Sequence, residues 1–434
     1  MNNLVLENYR HIHFVGIGGI SMHLLAIYCK DLGMTVTGSD LCKNKYIVKC
    51  NDKGITTYLK HKRKNVHGAD LVVHSGSINE SNIEIVEARF RGIEVVDRAE
   101  LLSNICKKFK YVIGVSGSHG KSTTCAMIYH ILRESGEHVS CHIGADVDNA
   151  RLNPTDEYLV LECCEYNKSF LKFNCDIGVI LNIDNDHLDC YQNMYNLRNA
   201  FRTFIKHCKT RLVLDNASTK CIASKVKRIK LTNVIADNKF ICNDKKYALD
   251  NVYGQHNIAN ATMAINVCME VGLSYTKIYK ALKTFKAVGR RCELLGKYNT
   301  MDVILDYAHH PTEIQSLYTA LQSKYKNICL IFQPHTYSRT KILLYDFIKL
   351  FVDKSNMVIY KEYPAREHAN QGYSAKQLSK YLDNSIYCNS FHSLKKQLLD
   401  KEIMEDGCVA FVGAGDIDNI ASKFVSYYGI ASKG

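Results

Sequence analysis

The stretch Tyr111-Val112-Ile113-Gly114-Val115-Ser116-Gly117-Ser118-His119-Gly120-Lys121-Ser122-Thr123-Thr124 reads as a strand that breaks into a glycine turn and then opens a helix. Tyr111 to Val115 is an apolar run of strand type, Gly117 and Gly120 free the turn, and a helical pattern follows from Lys121 to Leu132. Glycines let backbone N–H groups curl round a polyphosphate, and the helix behind them offers its positive N-terminal end. On this reading Lys121 reaches terminal phosphates, Ser122 ligates Mg²⁺, and Gly117, Ser118, His119, Gly120 and Thr123 wall the cradle. An ordinary strand-turn-helix junction accounts for the two glycines but not for Gly-Lys-Ser-Thr-Thr at a helix start. The general phosphate loop has glycine five residues before Gly120, where this chain has Val115, so the loop is the shortened Gly-x-x-Gly-Lys-Ser form. That form points to a subset of ATP users.

Strand and helix patterns alternate on both sides of this loop, which makes the fold class α/β. Upstream, Ile12 to Val15 reads as a strand, Gly16-Ile17-Gly18-Gly19-Ile20-Ser21 as a turn, and Met22 to Leu32 as a helix. Thr35 to Thr37 and then Gly38-Ser39-Asp40 follow, placing an acid after the second strand as a dinucleotide fingerprint does. The third glycine of that fingerprint is Ser21, so the turn suits a nucleotide diphosphate or simply a tight bend. Leu71 to Val73 leads to His74-Ser75-Gly76-Ser77, and the alternation continues to a boundary near Lys108.

Downstream of the loop, the apolar run Tyr158 to Leu161 delivers Glu162-Cys163-Cys164-Glu165 to a strand end, and Ile177 to Leu181 delivers Asn182-Ile183-Asp184-Asn185-Asp186-His187-Leu188-Asp189. Ligands of open α/β sheets bind at those carboxyl ends. An acid, an amide and a histidine beside a phosphate loop are donors of the kind a metal–nucleotide site needs. Gly254-Gln255-His256-Asn257-Ile258-Ala259-Asn260 opens a helix whose amides suit an adenine edge, or serve as N-caps. In the last third, four strand ends carry His, Arg, Tyr and Asp, in Asp306-Tyr307-Ala308-His309-His310-Pro311, Gln333-Pro334-His335-Thr336-Tyr337-Ser338-Arg339, Tyr363-Pro364-Ala365-Arg366-Glu367 and Gly413-Ala414-Gly415-Asp416. Three of the chain's four prolines sit in these loops and would hold them rigid.

At 434 residues, two to four domains are expected. No apolar run reaches the length of a membrane span, and Met1 to Glu7 lacks the layout of a secretion signal, so a cytoplasmic protein without membrane insertion is expected. The 18 cysteines are scattered with no C-x-x-C, which removes zinc ribbons and redox pairs and leaves reduced, mostly buried thiols. The net charge of +13 is spread, and its densest cluster, Lys60-His61-Lys62-Arg63-Lys64, is short and lacks interleaved aromatics. Nucleic acid is therefore not expected as a partner.

Taken in order, the motifs His13-Phe14-Val15-Gly16-Ile17-Gly18-Gly19, Gly117 to Thr124, Asn182 to Asp189, Asp306 to Ile314 and Phe332 to Thr340 resemble the Mur ligase family, over nearly the whole chain. The resemblance implies three domains. Residues 1–108 form a Rossmann-like domain for a UDP-sugar, 109–292 a central phosphate-loop ATPase, and 293–434 a C-terminal Rossmann-like domain that binds the amino acid and closes over ATP. It implies a monomer or homodimer that uses ATP and Mg²⁺ to join L-alanine to the lactyl carboxylate of UDP-N-acetylmuramate through an acyl phosphate.

By resemblance, Lys121, Glu165, His187, His309, His335 and Arg339 are catalytic, and Ser122, Glu165 and His187 hold the metal. Gly18, Gly19, Ser39, Asp40, Ser75, Tyr307 and Arg366 contact substrates, while His256, Asn257, Asn260, Arg290 and Asp306 surround ATP. Where the family pattern reads Glu-Ala-Asp-Glu-Ser-Asp, this chain has Glu162-Cys163-Cys164-Glu165-Tyr166-Asn167, so two acids are replaced. Thr336 stands where part of the family has arginine, and Cys292 where an aromatic is usual. A recycling ligase for a murein peptide, a glycine- or serine-adding ligase, a non-catalytic nucleotide binder and, built on Gly16 to Gly18, a nicotinamide oxidoreductase are the competing readings.

Overall fold

The computed structural model describes residues 4–431 apart from 187, 223–224, 232, 237, 366, 368–371 and 400–406. The chain forms two compact units, one of residues 1–251 and 257–285 and one of residues 252–256 and 286–434. The first unit holds two parallel sheets and the second holds one mixed sheet, which gives the three-domain α/β architecture expected from the motifs.

The first sheet comprises β1 (His11–Val15), β2 (Thr35–Ser39), β3 (Thr56–Tyr58), β4 (Leu71–His74) and β5 (Glu94–Asp97), in the order β3-β2-β1-β4-β5. The second comprises β6 (Tyr111–Ser116), β7 (Val139–His142), β8 (Tyr158–Glu162), β9 (Ile177–Ile180), β10 (Thr210–Asp215) and β11 (Lys227–Lys230), in the order β11-β10-β9-β6-β8-β7. The central strand β6 is thus flanked by β8 and β9, all parallel, and the ends of the three meet on one edge. Strands buried on both faces are apolar without alternation, as Val160, Leu161, Val179 and Ile180 show at 0% exposure. Gly114 of β6 lies directly opposite Gly178 of β9, and thiols fill the space their side chains would take. A Cβ on Gly114 would lie 2.3 Å from Cys175 Sγ, and one on Gly178 would lie 2.2 Å from Cys208 Sγ. One apolar cluster runs through both sheets, from Ile12 and Leu71 through Leu101, Ile105 and Phe109 to Phe170, Phe201 and Phe204. A small antiparallel sheet, β12 (Asn233–Ala236), β13 (Lys239–Cys242) and β14 (Lys245–Ala248), completes the unit.

The second unit's sheet comprises β15 (Glu293–Tyr298), β16 (Met301–Asp306), β17 (Asn327–Phe332), β18 (Met357–Tyr360), β19 (Ser385–Cys388), β20 (Gly407–Val412) and β21 (Gly429–Ala431), ordered β19-β18-β17-β20-β16-β15-β21. Successive residues feed opposite cores. Ile328, Leu330 and Phe332 join one apolar cluster while Cys329 and Ile331 join the other. All pairs are parallel except those made by β15, so β16, β17, β18 and β20 carry their loops on one edge. Among the described residues no helix is long and apolar enough to cross a membrane.

Candidate functional site

The phosphate-type loop leaves β6 at Ser116 and enters the helix Lys121–Glu134 through Gly120, which sits at φ 83° in the left-handed region. A side chain there would be strained, and its Cβ would lie 2.4 Å from Asn260 Oδ1. Asn260 therefore rests on the loop, with Asn257 one turn earlier on the same helix and its Oδ1 3.3 Å from Asn260 Nδ2. No side chain caps the Lys121–Glu134 helix, so its first N–H groups point into the turn as an anion site requires.

Asn182 staples the loop, accepting from His119 N at 2.8 Å and donating to His119 O at 3.0 Å, while Ser118 N donates to Asn182 O. Asp184 Oδ2 lies 2.9 Å from His119 Nε2, and the Asp184 N–H donates to Ser118 Oγ at 2.8 Å. The amide and acid read from sequence as metal donors thus brace the turn itself.

At the end of β8 two acids divide the work. Glu165, 1% exposed, pairs with Lys121 Nζ at 2.9 Å, and Lys121 also donates to the carbonyls of Gly117 and Ser118. Burial disfavours the Lys121 ammonium, but Glu165 and Glu162 outweigh it and hold its pKa above the ordinary lysine value. Ser122 Oγ donates not to Glu165 but to Glu162 Oε2, at 2.9 Å, and the Gly144 N–H donates to the same oxygen. Glu162 is the acid that sequence reasoning passed over. Its signal was its place as the last residue of β8, one strand from the phosphate loop.

Cys164 is half-buried, and burial, with Glu165 next, pushes its thiol up to about 11, so it stays neutral. Asn167 sits at φ 53°, a conformation asparagine tolerates better than most residues, in a kink shared with Lys168. His187 and Arg366 lie outside the described residues.

The first glycine turn joins β1 to the helix Met22–Asp31. Asp40, expected to face a ribose, turns back on this turn. Its Oδ2 accepts from Gly18 N at 2.9 Å and its Oδ1 from Leu41 N at 2.8 Å, while Asn44 holds Gly18 O. Ser39 is fully buried, and its hydroxyl is committed to Glu84 at 2.5 Å and His61 at 2.9 Å. Gly19 and Ser75 remain on the edge of the turn, Ser75 paired with Ser77 at 2.8 Å.

In the second unit Asp306, at the end of β16, is buried and its carboxyl pKa is raised by burial, although the Cys292 and Ala308 N–H groups both donate to it at 2.7 Å. The Tyr307 ring lies under Arg290 and Arg291, at 4.8 and 5.1 Å. Arg290 itself binds Gly413 O, Gly415 O and Asp418, so its guanidinium braces the loop after β20. His309, His335 and Arg339 come together: the two rings are 5.9 Å apart, and Arg339 Nη1 lies 3.1 Å from His335 Nδ1. His335 also stacks on Tyr363. Between them Thr336 is held at φ 66°, a conformation foreign to a β-branched residue and worth about 1–3 kcal/mol of strain. His256 is exposed in the first turn of the helix Gln255–Glu270.

Three family profiles cover the chain: the Mur ligase family catalytic domain at residues 11–110, the Mur ligase middle domain at 115–268, and the Mur ligase glutamate ligase domain at 290–415. The chain is 35% identical to a UDP-N-acetylmuramate--L-alanine ligase of Acetivibrio thermocellus, over 96% of each protein. It is 37% identical to the enzyme of that name from Caldanaerobacter subterraneus, over 97% of this chain and 98% of the relative. Among solved structures, UDP-N-acetylmuramate-alanine ligase MurC from Thermotoga maritima matches with a TM-score of 0.81 at 26% identity, covering 96% of this chain and 99% of its own. A murein peptide ligase from Psychrobacter arcticus shares the fold, with a TM-score of 0.70 at 22% identity.

Proposed function

The chain belongs to the Mur ligase family, whose members are ATP-dependent amide-forming ligases, and from that premise we propose that it joins L-alanine to the lactyl carboxylate of UDP-N-acetylmuramate in peptidoglycan precursor synthesis. The observation that carries the chemistry is the pairing at the ends of β6 and β8, where Lys121 faces Glu165 and Ser122 faces Glu162. Full-length likeness to alanine-adding ligases supports the choice of substrates.

In this reading the substrate carboxylate attacks the γ-phosphorus of ATP and ADP leaves. The amine of alanine then attacks the acyl phosphate carbonyl, and phosphate departs from the tetrahedral intermediate. Transfer of a phosphoryl group between anions needs cations round its oxygens. Lys121 supplies one, its ammonium kept charged by Glu165. The hydroxyl of Ser122 and the carboxylates of Glu162 and Glu165 form an oxygen set suited to a hard divalent cation, and Mg²⁺ held there would neutralise charge on the β- and γ-phosphate oxygens. His187 belongs to the same proposed set by its place in the motif. Glu162 joins the set on the strength of its bond to Ser122.

The loop N–H groups from Gly117 to Thr123 would cradle the phosphates, with Asn257 and Asn260 beside them. In the second unit, the Arg339 guanidinium with His309 and His335 beside it forms a set of nitrogen donors fitted to the carboxylate of an amino acid, with Arg366 as a further anchor. We assign residues 1–108 to the sugar nucleotide, 109–292 to ATP and 293–434 to the amino acid, in a cytoplasmic monomer or homodimer.

The test is phosphate release from ATP and Mg²⁺ with UDP-N-acetylmuramate alone, and then with L-alanine, glycine, L-serine or a murein tripeptide. Release that requires the sugar nucleotide and is fastest with L-alanine is expected. Preference for the tripeptide would move the assignment to recycling, and release with no acceptor would refute ligation.

A further inference from the structure

Where the two parallel sheets of the first unit adjoin, three side chains from their carboxyl edges meet. Arg98 follows β5, Ser21 ends the first glycine turn, and His142 ends β7. Arg98 Nη1 donates to Ser21 Oγ at 3.0 Å, and Ser21 Oγ lies 2.6 Å from His142 Nε2. The Ser21 hydroxyl thus joins the guanidinium to the imidazole, accepting from Arg98 while hydrogen-bonded to His142 Nε2. His142 is 3% exposed, and among the described residues its Nδ1 has no hydrogen-bond partner. Burial, with Arg98 next, pushes His142 down to about 3, so the ring is neutral and adds no charge.

Arg98 is a half-buried cation whose hydrogen bonding among the described residues stops at Ser21, and it has no carboxylate partner. The acids that bear on it are engaged elsewhere. Asp97 holds Lys172 and caps its own helix at Glu100 N. Glu162 accepts from Ser122 and Gly144. Cys164, also beside Arg98, is a neutral thiol. A guanidinium withdrawn from water without a counter-ion is costly unless an anion completes it, and its planar fork suits phosphate or carboxylate oxygens.

Its position is the second part of the case. The residues round it are the first glycine turn on one side and the acids of the ATP-type loop on the other. Arg98 thus bonds to the first glycine turn at Ser21 and lies within electrostatic reach of Glu162 and Cys164, whose strand end also meets Lys121 and Ser122. We propose that Arg98 is the residue that receives an anionic oxygen of the sugar nucleotide, with Ser21 and His142 fixing the direction of the guanidinium. This rests on the ligase reading above and adds to it a named anchor, with the pyrophosphate and the lactyl carboxylate as its two possible sources of negative charge.

Calorimetric titration of the intact protein with UDP, UDP-N-acetylglucosamine, UDP-N-acetylmuramate and a non-hydrolysable ATP analogue tests it, in wild type, Arg98→Gln and Arg98→Lys. The expected result is a 10- to 100-fold weaker Kd for UDP-N-acetylmuramate in Arg98→Gln, partial recovery in Arg98→Lys, and no change for the ATP analogue. A loss shared by all three uridine nucleotides identifies the pyrophosphate, and one confined to UDP-N-acetylmuramate identifies the carboxylate. Unchanged affinity in Arg98→Gln overturns the inference, as does parallel loss of the ATP analogue, which would make Arg98 a packing residue. If the wild type binds the ATP analogue but no sugar nucleotide, the ligase reading itself fails.

Discussion

Replacing Lys121 by methionine should do two separable things. The Lys121–Glu165 pair is 2.9 Å long, and its side chains are 11% and 1% exposed. Lys121→Met keeps the length of the side chain but takes the ammonium away from the buried Glu165 carboxylate, and removing one member of a buried ion pair costs about 3–5 kcal/mol. The same substitution frees the Gly117 and Ser118 carbonyls of their ammonium donor. For a unit of this size about 2–4 °C of unfolding midpoint accompanies each kcal/mol, so a fall of roughly 6–20 °C is expected. The double variant Lys121→Met/Glu165→Gln removes the buried carboxylate's charge as well and should recover about half or more of that fall. Phosphate release should not recover, because the cation at the transferred phosphoryl group is absent from both variants, and each should run at least ~10²-fold slower than wild type. Thermal unfolding without nucleotide and phosphate release with all substrates read the two effects independently. A double variant no more stable than the single, or a Lys121→Met enzyme within tenfold of wild type, would refute the reasoning.

Gly120→Ala places a Cβ at φ 83° and 2.4 Å from Asn260 Oδ1, which costs about 1–2 kcal/mol in backbone alone and displaces the asparagine. KM for ATP should rise at least tenfold while KM for alanine holds, as steady-state kinetics will show. Glu162→Gln keeps the shape that holds Ser122 and Gly144 but removes the charge, so the Mg²⁺ concentration giving half-maximal rate should rise about tenfold or more. An unchanged Mg²⁺ titration would leave Glu165 as the one carboxylate of the proposed metal set.

Burial opposes ionisation of Glu84, but His13, Ser39 and Asn65 outweigh it and hold the carboxyl at about 2 against 4.5. A depressed carboxyl stabilises the fold above its unfolded value and loses that contribution as pH falls from 4.5 towards 2. Glu84→Gln should therefore be less stable than wild type by roughly 2–4 kcal/mol at neutral pH, with the gap closing across that window in urea titrations.

Much of the fold was legible because buried parallel strands leave continuous apolar runs. Ile12 to Val15, Tyr111 to Val115 and Tyr158 to Leu161 all read as strands and all are strands. The strands that were not legible lack that signature for physical reasons. β11 is an edge strand with the sequence Lys-Arg-Ile-Lys, in which only Ile229 is buried, and β13 and β14 are four residues each, their exposed Lys239, Lys245 and Lys246 breaking up the buried Phe240, Cys242 and Tyr247. β7 carries Ser140 and His142, polar residues buried by partners far away in sequence, Asp156 for one and Ser21 for the other. The glycines of β6 and β9 lie inside runs that read as strands, and nothing in those runs gives a reason for them. They are close approaches, explained only when Cys175 and Cys208 are seen to occupy their space.

The site was legible as a set of loops and not as a set of bonds. Spacing placed Lys121, Ser122 and Glu165 at one sheet edge, yet it had no means of telling which acid would meet which partner. Glu162 and Glu165 are three residues apart and leave the same strand end, but the chain turns sharply after β8, with Asn167 and Lys168 in the left-handed region. The turn carries Glu165 to Lys121, while Glu162, still on the strand, reaches Ser122. The same limit governed the first glycine turn. An acid after the second strand fits a ribose in the general pattern, but here Asn44 and Asp40 grip Gly18 from both sides, and Asp40 is occupied by its own backbone. On the proposed reading, further contacts to the sugar nucleotide come from elsewhere on that edge. Arg98, which no motif had marked, is a half-buried cation on that edge with no carboxylate partner among the described residues.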